Sequence, residues 1–291
     1  VKDLPSVETL GSTTVICTDK TGTLTKNEMT VQSLWFDGQK YSVSGIGYEP
    51  KGEVFDQEGN PLNQEQIDRI EVIMDAATMS SNAEIHEPDE EHDFWYPVGD
   101  PTEAALINLS TKLGTRSDRE DEENPEIQEF SFNSELMRMS SVRRFGDELR
   151  LTAKGSTASI LSVCTHIYEN GGEAPLSEAH KQKIEGLNHE YSSNGMRVLA
   201  VAHRRLSGQT KEFTREKAET DLIFLGLMAM IDPPKEGVKQ AIADARAAHI
   251  RIFIITGDHP DTALAIGREI GLQEPGEDVS VIIGTELKNM S

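Results

Sequence analysis

The stretch VICTDKTGTLT, residues 15–25, decides the architecture of this chain near its start. An apolar run ends at Thr18 and is followed by one acid, one base and a Thr/Gly cluster. The pattern predicts a buried strand that opens directly into a polar loop. Because ligands of open α/β sheets bind beyond the carboxyl ends of the strands, Asp19 is a candidate functional residue by position. A lone aspartate after a strand is more often a turn or helix cap.

Similar signals recur towards the other end of the chain. The segments DLIFLGLMAMID (221–232), IRIFIITGD (250–258) and VSVIIG (279–284) are predicted strands, and helical patterns follow the first two. Strands that alternate with helices are typical of a parallel sheet covered by helices. Three of the predicted strands end in Asp19, Asp232 and Asp258, which together would form an acidic rim suited to Mg²⁺ and a phosphate.

The middle of the chain has a different pattern. The segments WFDGQKYSV (35–43), RLTAKG (150–155) and MRVLAVAHR (196–204) are predicted strands of an antiparallel sheet with helices. We therefore expect an α/β domain made from residues 1–31 and 229–291, with residues 32–228 inserted as a separate α+β domain.

Composition excludes some classes of function. Fifty acids against 28 bases give a net charge of −22, which disfavours nucleic acid and anionic lipid as partners. No apolar run is long enough to predict a membrane span. The two cysteines, Cys17 and Cys164, lie in apolar runs and are expected to be buried free thiols.

An acidic segment with two histidines, EIHEPDEEHDF (84–94), leaves two alternatives, a metal site or a solvated loop. Its spacing matches no standard zinc pattern, so we expect the loop.

The loop after Asp19 suits phosphoryl transfer. A carboxylate can accept a phosphoryl group as an acyl phosphate, while hydroxyl and backbone N–H groups hold the transferring oxygens. Lys20 adds positive charge beside the Thr/Gly cluster.

The run ICTDKTGTLTKNEMTV (16–31) resembles the phosphorylation signature of P-type cation-transporting ATPases. Further motifs of that family follow in order: GDPTEAAL, FNSELMRMSSV, AKGS, GMRVLAVA, MIDPPK and TGDHPDTA. The resemblance is closest to the type II pumps for calcium or sodium and potassium. It implies an α/β fold: a partial haloacid dehalogenase-like Rossmannoid phosphorylation domain with an inserted α+β nucleotide-binding domain built on an antiparallel sheet.

The resemblance implies roles at the phosphorylation site. Asp19 would be the nucleophile, and Thr21 would ligate Mg²⁺ through its carbonyl and touch the phosphate. The phosphoryl oxygens would be bound by Thr256 and Gly257. Asp258 and Asp232 would position Mg²⁺-ATP and the hinge, although Asp232 is alternatively a simple strand end before two prolines.

Thr21 stands where soluble phosphatases of the haloacid dehalogenase superfamily carry a second aspartate. Because threonine cannot serve as a general base at neutral pH, an aspartyl phosphate on Asp19 should persist. This counts against a free-standing phosphatase.

The resemblance also implies an ATP site in the middle domain. Phe132 would stack on adenine, Glu103 would approach the adenine amino group, Lys154 and Gly155 would lie at the mouth of the pocket, and Arg197 would reach the phosphates. As alternatives, Phe132 would be a core residue and Glu103 part of a capping box with Asp100.

Two positions depart from the family pattern. Met137 stands where many relatives have a lysine, so either Arg138 substitutes for that cation with a different reach or one cationic contact is missing. Ser156-Thr157-Ala158 stands where relatives commonly have Ala-Pro-Glu.

The implied function is ATP hydrolysis through an aspartyl phosphate, coupled to cation transport, with ATP and Mg²⁺ as ligands. Because the chain stops before the family's second phosphorylation-domain signature, we expect a segment of a pump. The membrane helices, the actuator domain and the cation site would lie elsewhere in a multi-pass cell-membrane protein, and this segment would be cytoplasmic and soluble. Two alternatives stay open: a haloacid dehalogenase-like phosphatase, and a nucleotide-binding module without catalysis.

Overall fold

The computed structural model describes residues 11–115, 120–207, 213–256, 260–273, 281–287 and 290. The chain divides into two compact units. The first unit comprises residues 1–27, 192–195 and 232–291, and the second comprises residues 28–191 and 196–231.

The second unit is built on one large sheet with helices on both faces. Its strands are β2 (Thr30–Phe36), β3 (Gln39–Val43), β4 (Val54–Phe55), β7 (Glu126–Asn133), β8 (Arg138–Phe145), β9 (Glu148–Gly155), β10 (Cys164–Glu169), β11 (Gly172–Pro175), β12 (Arg197–Leu206) and β13 (Leu222–Ile231). A separate hairpin pairs β5 (Glu84–His86) with β6 (Tyr96–Val98). The helices are α1 (Gln64–Thr78), α2 (Pro101–Leu113), α3 (Glu120–Glu123), α4 (Thr157–Val163), α5 (Glu178–Ser193) and α6 (Arg215–Ala218).

The order of the main sheet is β4-β3-β2-β13-β12-β9-β8-β7. These neighbours are all antiparallel, and only β10 joins β13 in parallel among the strand pairs of this sheet that the structure describes. The antiparallel sheet predicted for the middle of the chain is therefore confirmed. Its β2–β3 turn uses Asp37 (φ 50°) and Gly38 (φ 77°), and two consecutive positive φ values suit a tight hairpin.

The prediction that DLIFLGLMAMID belongs with the parallel strands is wrong. The segment is β13, which pairs with β2 and β12 in the antiparallel sheet. The segment is apolar throughout, as a buried parallel strand is, because helices cover both of its faces. Polar residues therefore do not alternate with apolar ones along it.

The two faces of the sheet form two cores. On one face, Leu34 and Leu225 pack with residues of α1 and α2 such as Ile73 and Leu106. On the other face the core contains the following side chains of β2, β9, β13, α4 and α5: Trp35, Leu151, Phe224, Ile160 and Ile184. The alternation of Leu34 with Trp35 and of Phe224 with Leu225 follows the period-two geometry of a strand.

Close backbone approach occurs at the centre of β13. A Cβ at Gly226 would lie 2.1 Å from the carbonyl oxygen of Trp35 and 2.7 Å from Cδ1 of Ile73. Only glycine lets β2 and α1 pack this closely against β13.

In the first unit, β1 (Val15–Asp19) pairs in parallel with β14 (Arg251–Ile255). The expectation that these two segments share a parallel sheet is confirmed. The helices α7 (Val238–Ala247), α8 (Pro260–Glu269) and α9 (Gly284–Leu287) belong to the same unit.

Two further expectations are wrong. Cys17 is exposed, whereas Cys164 is buried, because the described residues leave β1 largely uncovered. Of the predicted strand at 279–284, residues 281–283 lie outside any strand and Gly284 begins α9, while residues 279 and 280 fall outside the described part of the chain.

None of the helices in the described residues combines the length and apolar content needed to cross a membrane.

Candidate functional site

One edge of the main sheet gathers the predicted nucleotide-binding residues. Asn133 at the end of β7 pairs with Arg138 at the start of β8, and Arg138 pairs with Gly155 at the end of β9. Gly155 in turn pairs with Ala200, close to the start of β12 at Arg197. Because neighbouring strands run in opposite directions, Phe132, Arg138, Lys154, Gly155 and Arg197 all lie towards the same edge.

Phe132 lies at the end of β7 with 55% of its surface exposed. The alternative that it is a core residue is therefore wrong. The β7–β8 turn is closed by Asn133, whose side chain accepts hydrogen bonds from the N–H groups of Glu135 and Leu136, while its carbonyl accepts from Met137. Met137 has a positive φ of 53° and is itself exposed. The turn therefore presents an aromatic face and a thioether, without the lysine common in the family.

Gly155 has a steric reason to be glycine. A Cβ there would lie 2.4 Å from the carbonyl oxygen of Met137 and 2.6 Å from Cβ of Arg138. The N–H of Ser156 donates to the same Met137 carbonyl at 2.9 Å. Gly155 thus lets the end of β9 lie directly against the turn that carries Phe132.

Lys154 is buried rather than open at a pocket mouth. Its Nζ pairs with Oε1 of Glu103 at 2.9 Å and donates to the carbonyl of Ser80 at 2.8 Å and to the Ser81 hydroxyl. Burial lowers the pKa of Lys154 to about 8, although the Glu103 carboxylate opposes that shift. Because this pKa lies close to neutral pH, Lys154 can lose its proton at a modest cost in free energy.

Glu103 links α2 to the buried Lys154. Asp100 caps α2 by accepting from the N–H groups of Thr102 and Glu103, with Pro101 at the first helical position, as predicted. The Glu103 carboxylate does not complete a capping box, because it accepts from the N–H of Asn82 at 2.8 Å and pairs with Lys154.

Arg138 is held within the protein. Its Nε donates to Glu219 at 2.6 Å and its Nη1 to Ser159 at 3.1 Å. The side chain of Arg138 is 12% exposed and that of Glu219 is fully buried. In this arrangement the Arg138 side chain stabilises the sheet edge. It does not extend towards solvent as a substitute for a lysine at position 137.

Sequence reasoning missed Glu219, which organises this edge. Besides Arg138, Glu219 accepts from Ser140 at 2.8 Å and pairs with Arg215 at 3.3 Å. Arg215 also donates to the carbonyl of Ser131 at 2.6 Å, next to Phe132. One buried carboxylate therefore supports both strands of the hairpin that carries Phe132. No local sequence signal marks this role, because Arg138 and Ser140 are 81 and 79 positions away and only Arg215, at i−4, is near in sequence.

Arg197 is exposed at the start of β12.

In the first unit, Asp19 ends β1 opposite Ile255, and Thr256 follows β14 directly. The structure thus brings Asp19 and Thr256 to the same ends of two parallel strands. Gly257 and Asp258 lie outside the described residues, and their predicted roles remain expectations.

The loop after Asp19 is one irregular helical turn, Lys20–Leu24, closed by the Thr25 N–H donating to the Lys20 carbonyl at 3.1 Å. Thr21 (φ −72°, ψ 126°) and Gly22 (φ 73°, ψ −14°) have the angles of a type II turn, which requires glycine at its third position. Asp19 and Thr21 are exposed, whereas Lys20 is buried.

Asp232 contacts this loop. Its Oδ2 accepts from the Thr25 hydroxyl at 2.6 Å, and Thr25 Oγ1 accepts from the N–H of Gly22 at 3.2 Å. Lys235, the last residue of the motif MIDPPK, donates from Nζ to the Gly22 carbonyl at 2.5 Å. Asp232 is therefore more than a strand end, since it fixes the turn beside Asp19.

In the described part of the chain, no group of three His, Cys, Asp or Glu side chains is placed to hold a metal ion. In the acidic segment, Asp89 accepts from Tyr96 and His92, and these hydrogen bonds hold the pKa of the Asp89 carboxyl well below its usual range.

Comparison with known proteins supplies independent information. The sequence model of a family described as "P-type ATPase, cytoplasmic domain N" matches residues 69–237. A calcium-transporting ATPase of Listeria monocytogenes is 36% identical over 100% of this chain and 30% of its own length. A calcium-transporting ATPase of Bacillus subtilis is 36% identical over 94% of this chain and 30% of its own length. A cation-transporting ATPase of Synechocystis is 34% identical over 96% of this chain and 31% of its own length. The chain spans about 30% of the length of these curated relatives.

The lowered pKa of Lys154 predicts a pH-dependent stability. Between about pH 8 and pH 10.5 the unfolded chain keeps a proton at Lys154 that the folded chain loses, so folding stability rises through this window. Relative to the double variant Lys154→Met/Glu103→Gln, in which neither partner titrates, the parent should gain a few kcal/mol of unfolding free energy on going from the lower to the higher pH. Urea unfolding measures the difference in unfolding free energy between the parent and the double variant at each pH. A difference that stays constant across the window would contradict the prediction. The variant Lys239→Met, at an exposed lysine, serves as control.

Removal of the Glu219 charge should destabilise the second unit strongly. Glu219→Gln leaves Arg138 and Arg215 without their buried counterion, and the expected loss is about 3–5 kcal/mol of unfolding free energy. The matched control Glu65→Gln breaks an exposed ion pair with Arg69 and should cost less than about 0.5 kcal/mol. Chemical denaturation compares the two variants, and equal losses would show that Glu219 has no special structural role.

Proposed function

The chain belongs to the P-type ATPase family and contains its cytoplasmic domain N, and from this premise we propose that it forms the ATP-binding and phosphorylation region of a cation-transporting pump. The observation that carries the proposal is the exposed Phe132 ring, which sits at a sheet edge supported by buried charge. An apolar ring held in solvent at a fixed position is suited to stacking on a base.

We propose that the nucleotide binds at this edge. Phe132 stacks on adenine and Arg197 contacts the phosphates, while Gly155 lets the end of β9 lie against the turn that carries Phe132. The buried Glu103–Lys154 pair supports the site from beneath and offers a carboxylate to the adenine amino group. Arg138 acts through the β7–β8 turn, since Glu219 and Ser159 hold its guanidinium.

We propose that Asp19 accepts the phosphoryl group. A carboxylate oxygen of Asp19 forms a bond to the terminal phosphorus of ATP, the bond from that phosphorus to the bridging oxygen breaks, and ADP leaves with the electron pair. The hydroxyl of Thr21, an exposed residue of the turn, would hold the phosphoryl oxygens together with Thr256 and Gly257. Lys235 and Asp232 keep this turn in place.

Mg²⁺ fits this proposal through the oxygen-rich end of β1. The Asp19 carboxylate and the Thr21 carbonyl are the hard oxygen ligands that this ion prefers, and both residues are exposed. Bound there, the ion would neutralise charge on the transferring group, and Asp258 would help to position it.

The organisation that we propose follows from these roles. Residues 1–27 and 232–291 contribute to a haloacid dehalogenase-like phosphorylation domain, and residues 28–191 and 196–231 form the inserted nucleotide-binding domain. The boundaries expected after residue 31 and before residue 229 fall inside β2 and β13. The relatives named above are cation- and calcium-transporting ATPases, so the whole protein would couple ATP hydrolysis to cation movement across the cell membrane, with this region on the cytoplasmic side. Because Thr21 occupies the place of a second acid, the phosphate on Asp19 persists long enough for that coupling.

ATP titration of the 291-residue chain tests the nucleotide site. Binding with a Kd of roughly 0.1–5 mM is expected, since one ring and few free cations contact the ligand. Phe132→Ala should weaken ATP binding by about 1–3 kcal/mol. Because the parent already binds weakly, binding by the variant should be hard to detect. The control Phe94→Ala removes another exposed ring, 77% accessible, and should leave the affinity unchanged. If Phe132→Ala binds ATP as well as the parent, the assignment of the edge is wrong.

Labelling of the intact pump with radioactive ATP tests the role of Asp19. The parent should give an acid-stable, hydroxylamine-sensitive phosphoenzyme, and Asp19→Asn should lose it while keeping ATP binding. Thr21→Asp should shorten the lifetime of the label. Persistent labelling of Asp19→Asn would assign the phosphate to another residue. ATP binding with no phosphoenzyme in the parent would favour a nucleotide-binding module, and rapid turnover of simple phosphate esters would favour a phosphatase.

A further inference from the structure

Three arginines stand side by side across the strands at one end of the main sheet. Arg150 of β9 is the direct cross-strand partner of both Arg143 of β8 and Arg205 of β12. Directly opposed residues of antiparallel strands project to the same face of the sheet, and like charges in such pairs are destabilising. The row therefore favours the presence of compensating negative charge.

The acids beside this row neutralise its middle member incompletely. Arg143 is buried and lies 3.8 Å from the Glu126 carboxylate, whereas Arg205 is exposed to solvent. Within the described ranges, the one ion pair of Arg150 is with Glu148, whose Oε2 lies 3.7 Å from Nη2. This distance is too long for a hydrogen bond, so Arg150 can still bind an anion closely.

Arg150 also lines a cavity between α1 and the sheet. The volume of the cavity is about 220 Å³, and its lining includes charged, polar and aromatic side chains of α1, β8, β9 and β12: Glu71, Asp75, Phe145, Arg150, Thr152 and His203. Phe145 lies at the opposite end of β8 from Arg138, so the cavity is remote from the sheet edge proposed for ATP.

The sheet wall of the cavity carries three buried polar atoms that have no hydrogen-bond partner among the described residues: Nε of Arg150, Oγ1 of Thr152 and Nε2 of His203. Thr152 is only 3% exposed, and it is the direct cross-strand partner of His203. Buried polar atoms are nearly always paired, so these three indicate a polar occupant. Arg150 can only donate, and the other two groups can also donate, so the occupant has to offer several acceptor atoms.

The charges around His203 indicate the sign of that occupant. Burial and, after it, the positive charges of Arg150 and Arg205 lower the pKa of His203 to about 4, so its ring is neutral near pH 7. The same two cations that disfavour a proton on His203 favour a negative charge beside it.

The two acids of the helix wall restrict where an anion can lie. Glu71 is exposed, so water and salt screen its charge. Asp75 is half-buried and already has an interaction within the protein. Both carboxylates repel an anion that approaches α1, so the anion has to lie against the strands.

We propose that this cavity binds a small tetrahedral oxyanion of the phosphate class, held by the Arg150 guanidinium, the Thr152 hydroxyl and the His203 ring. The oxygens of such an ion can accept from donors on two strands at once, and its charge compensates the arginine row. The cavity is smaller than the roughly 300–1,000 Å³ of pockets for drug-sized ligands, which excludes a whole nucleotide.

NMR titration of the 291-residue chain with inorganic phosphate at constant ionic strength tests the proposal. The ring signals of His203, assigned by their loss in His203→Gln, should shift saturably with a Kd on the order of 1 mM. Saturating phosphate should also raise the pKa of His203, because a bound anion favours the protonated ring. Since the readout is a residue of the cavity and no nucleotide is used, the result does not depend on the proposed ATP site.

Other anions test the class of ligand. Sulfate, which has the same tetrahedral shape, should bind with an affinity similar to that of phosphate. Acetate and chloride offer fewer acceptor atoms and should bind at least about tenfold more weakly.

Variants locate the binding. Arg150→Gln and Thr152→Val should each weaken phosphate binding about tenfold or more. Thr152→Val is nearly isosteric and removes a hydroxyl without a partner among the described residues, so it keeps the test valid if Arg150→Gln misfolds. Arg144→Gln, at the exposed neighbour of Arg143 on β8, is the matched control and should leave the affinity unchanged.

Three results would overturn the proposal. These are the absence of a saturable shift of His203 up to about 100 mM phosphate, equal affinity for acetate or chloride, and unchanged affinity in Thr152→Val. A crystal structure of the chain soaked in phosphate that showed only ordered water in the cavity would have the same meaning.

Discussion

The complete burial of β13 is the constraint on which the second unit depends. This strand pairs with β2 on one side and β12 on the other, and both of its faces are covered by helices. Every residue from Leu222 to Met230 is buried. Burial of so much apolar surface supplies much of the driving force for folding, and it also leaves no space for a side chain at Gly226.

The proposed nucleotide edge shows how buried charge can support an exposed binding surface. Glu219 holds Arg138 and Arg215 beneath the hairpin that carries Phe132, and the Glu103–Lys154 pair joins α2 to β9. Such pairs add little net stability over an apolar core, but they are costly to break and so impose one geometry. The aromatic ring can therefore remain in solvent without collapsing onto the sheet.

The loop after Asp19 is fixed by a different set of contacts. A type II turn at Thr21–Gly22 exposes its polar groups, while Thr25, Asp232 and Lys235 hold it from the other side. The segment around Pro234 forms a bridge with Thr25, so residues more than 200 positions apart in sequence define one turn.

Much of the local structure was determined by the sequence alone. Strand patterns in the middle of the chain predicted an antiparallel sheet, Asp100 was identified as a helix cap, and the pairing of β1 with β14 followed from two apolar runs ending in polar loops. Sequence also selected Phe132, Lys154 and Asp19 as candidates, because the motifs that contain them are contiguous.

Only the tertiary structure decided the rest. It moved β13 into the antiparallel sheet, since an apolar run does not reveal which strands will cover it. It placed Lys154 beneath the surface and committed Arg138 to Glu219, and it exposed Cys17 on a strand that the described residues leave uncovered. Each of these outcomes depends on partners that are distant along the chain. Local pattern fixes which face of an element is apolar, but burial and pairing are properties of what packs against it.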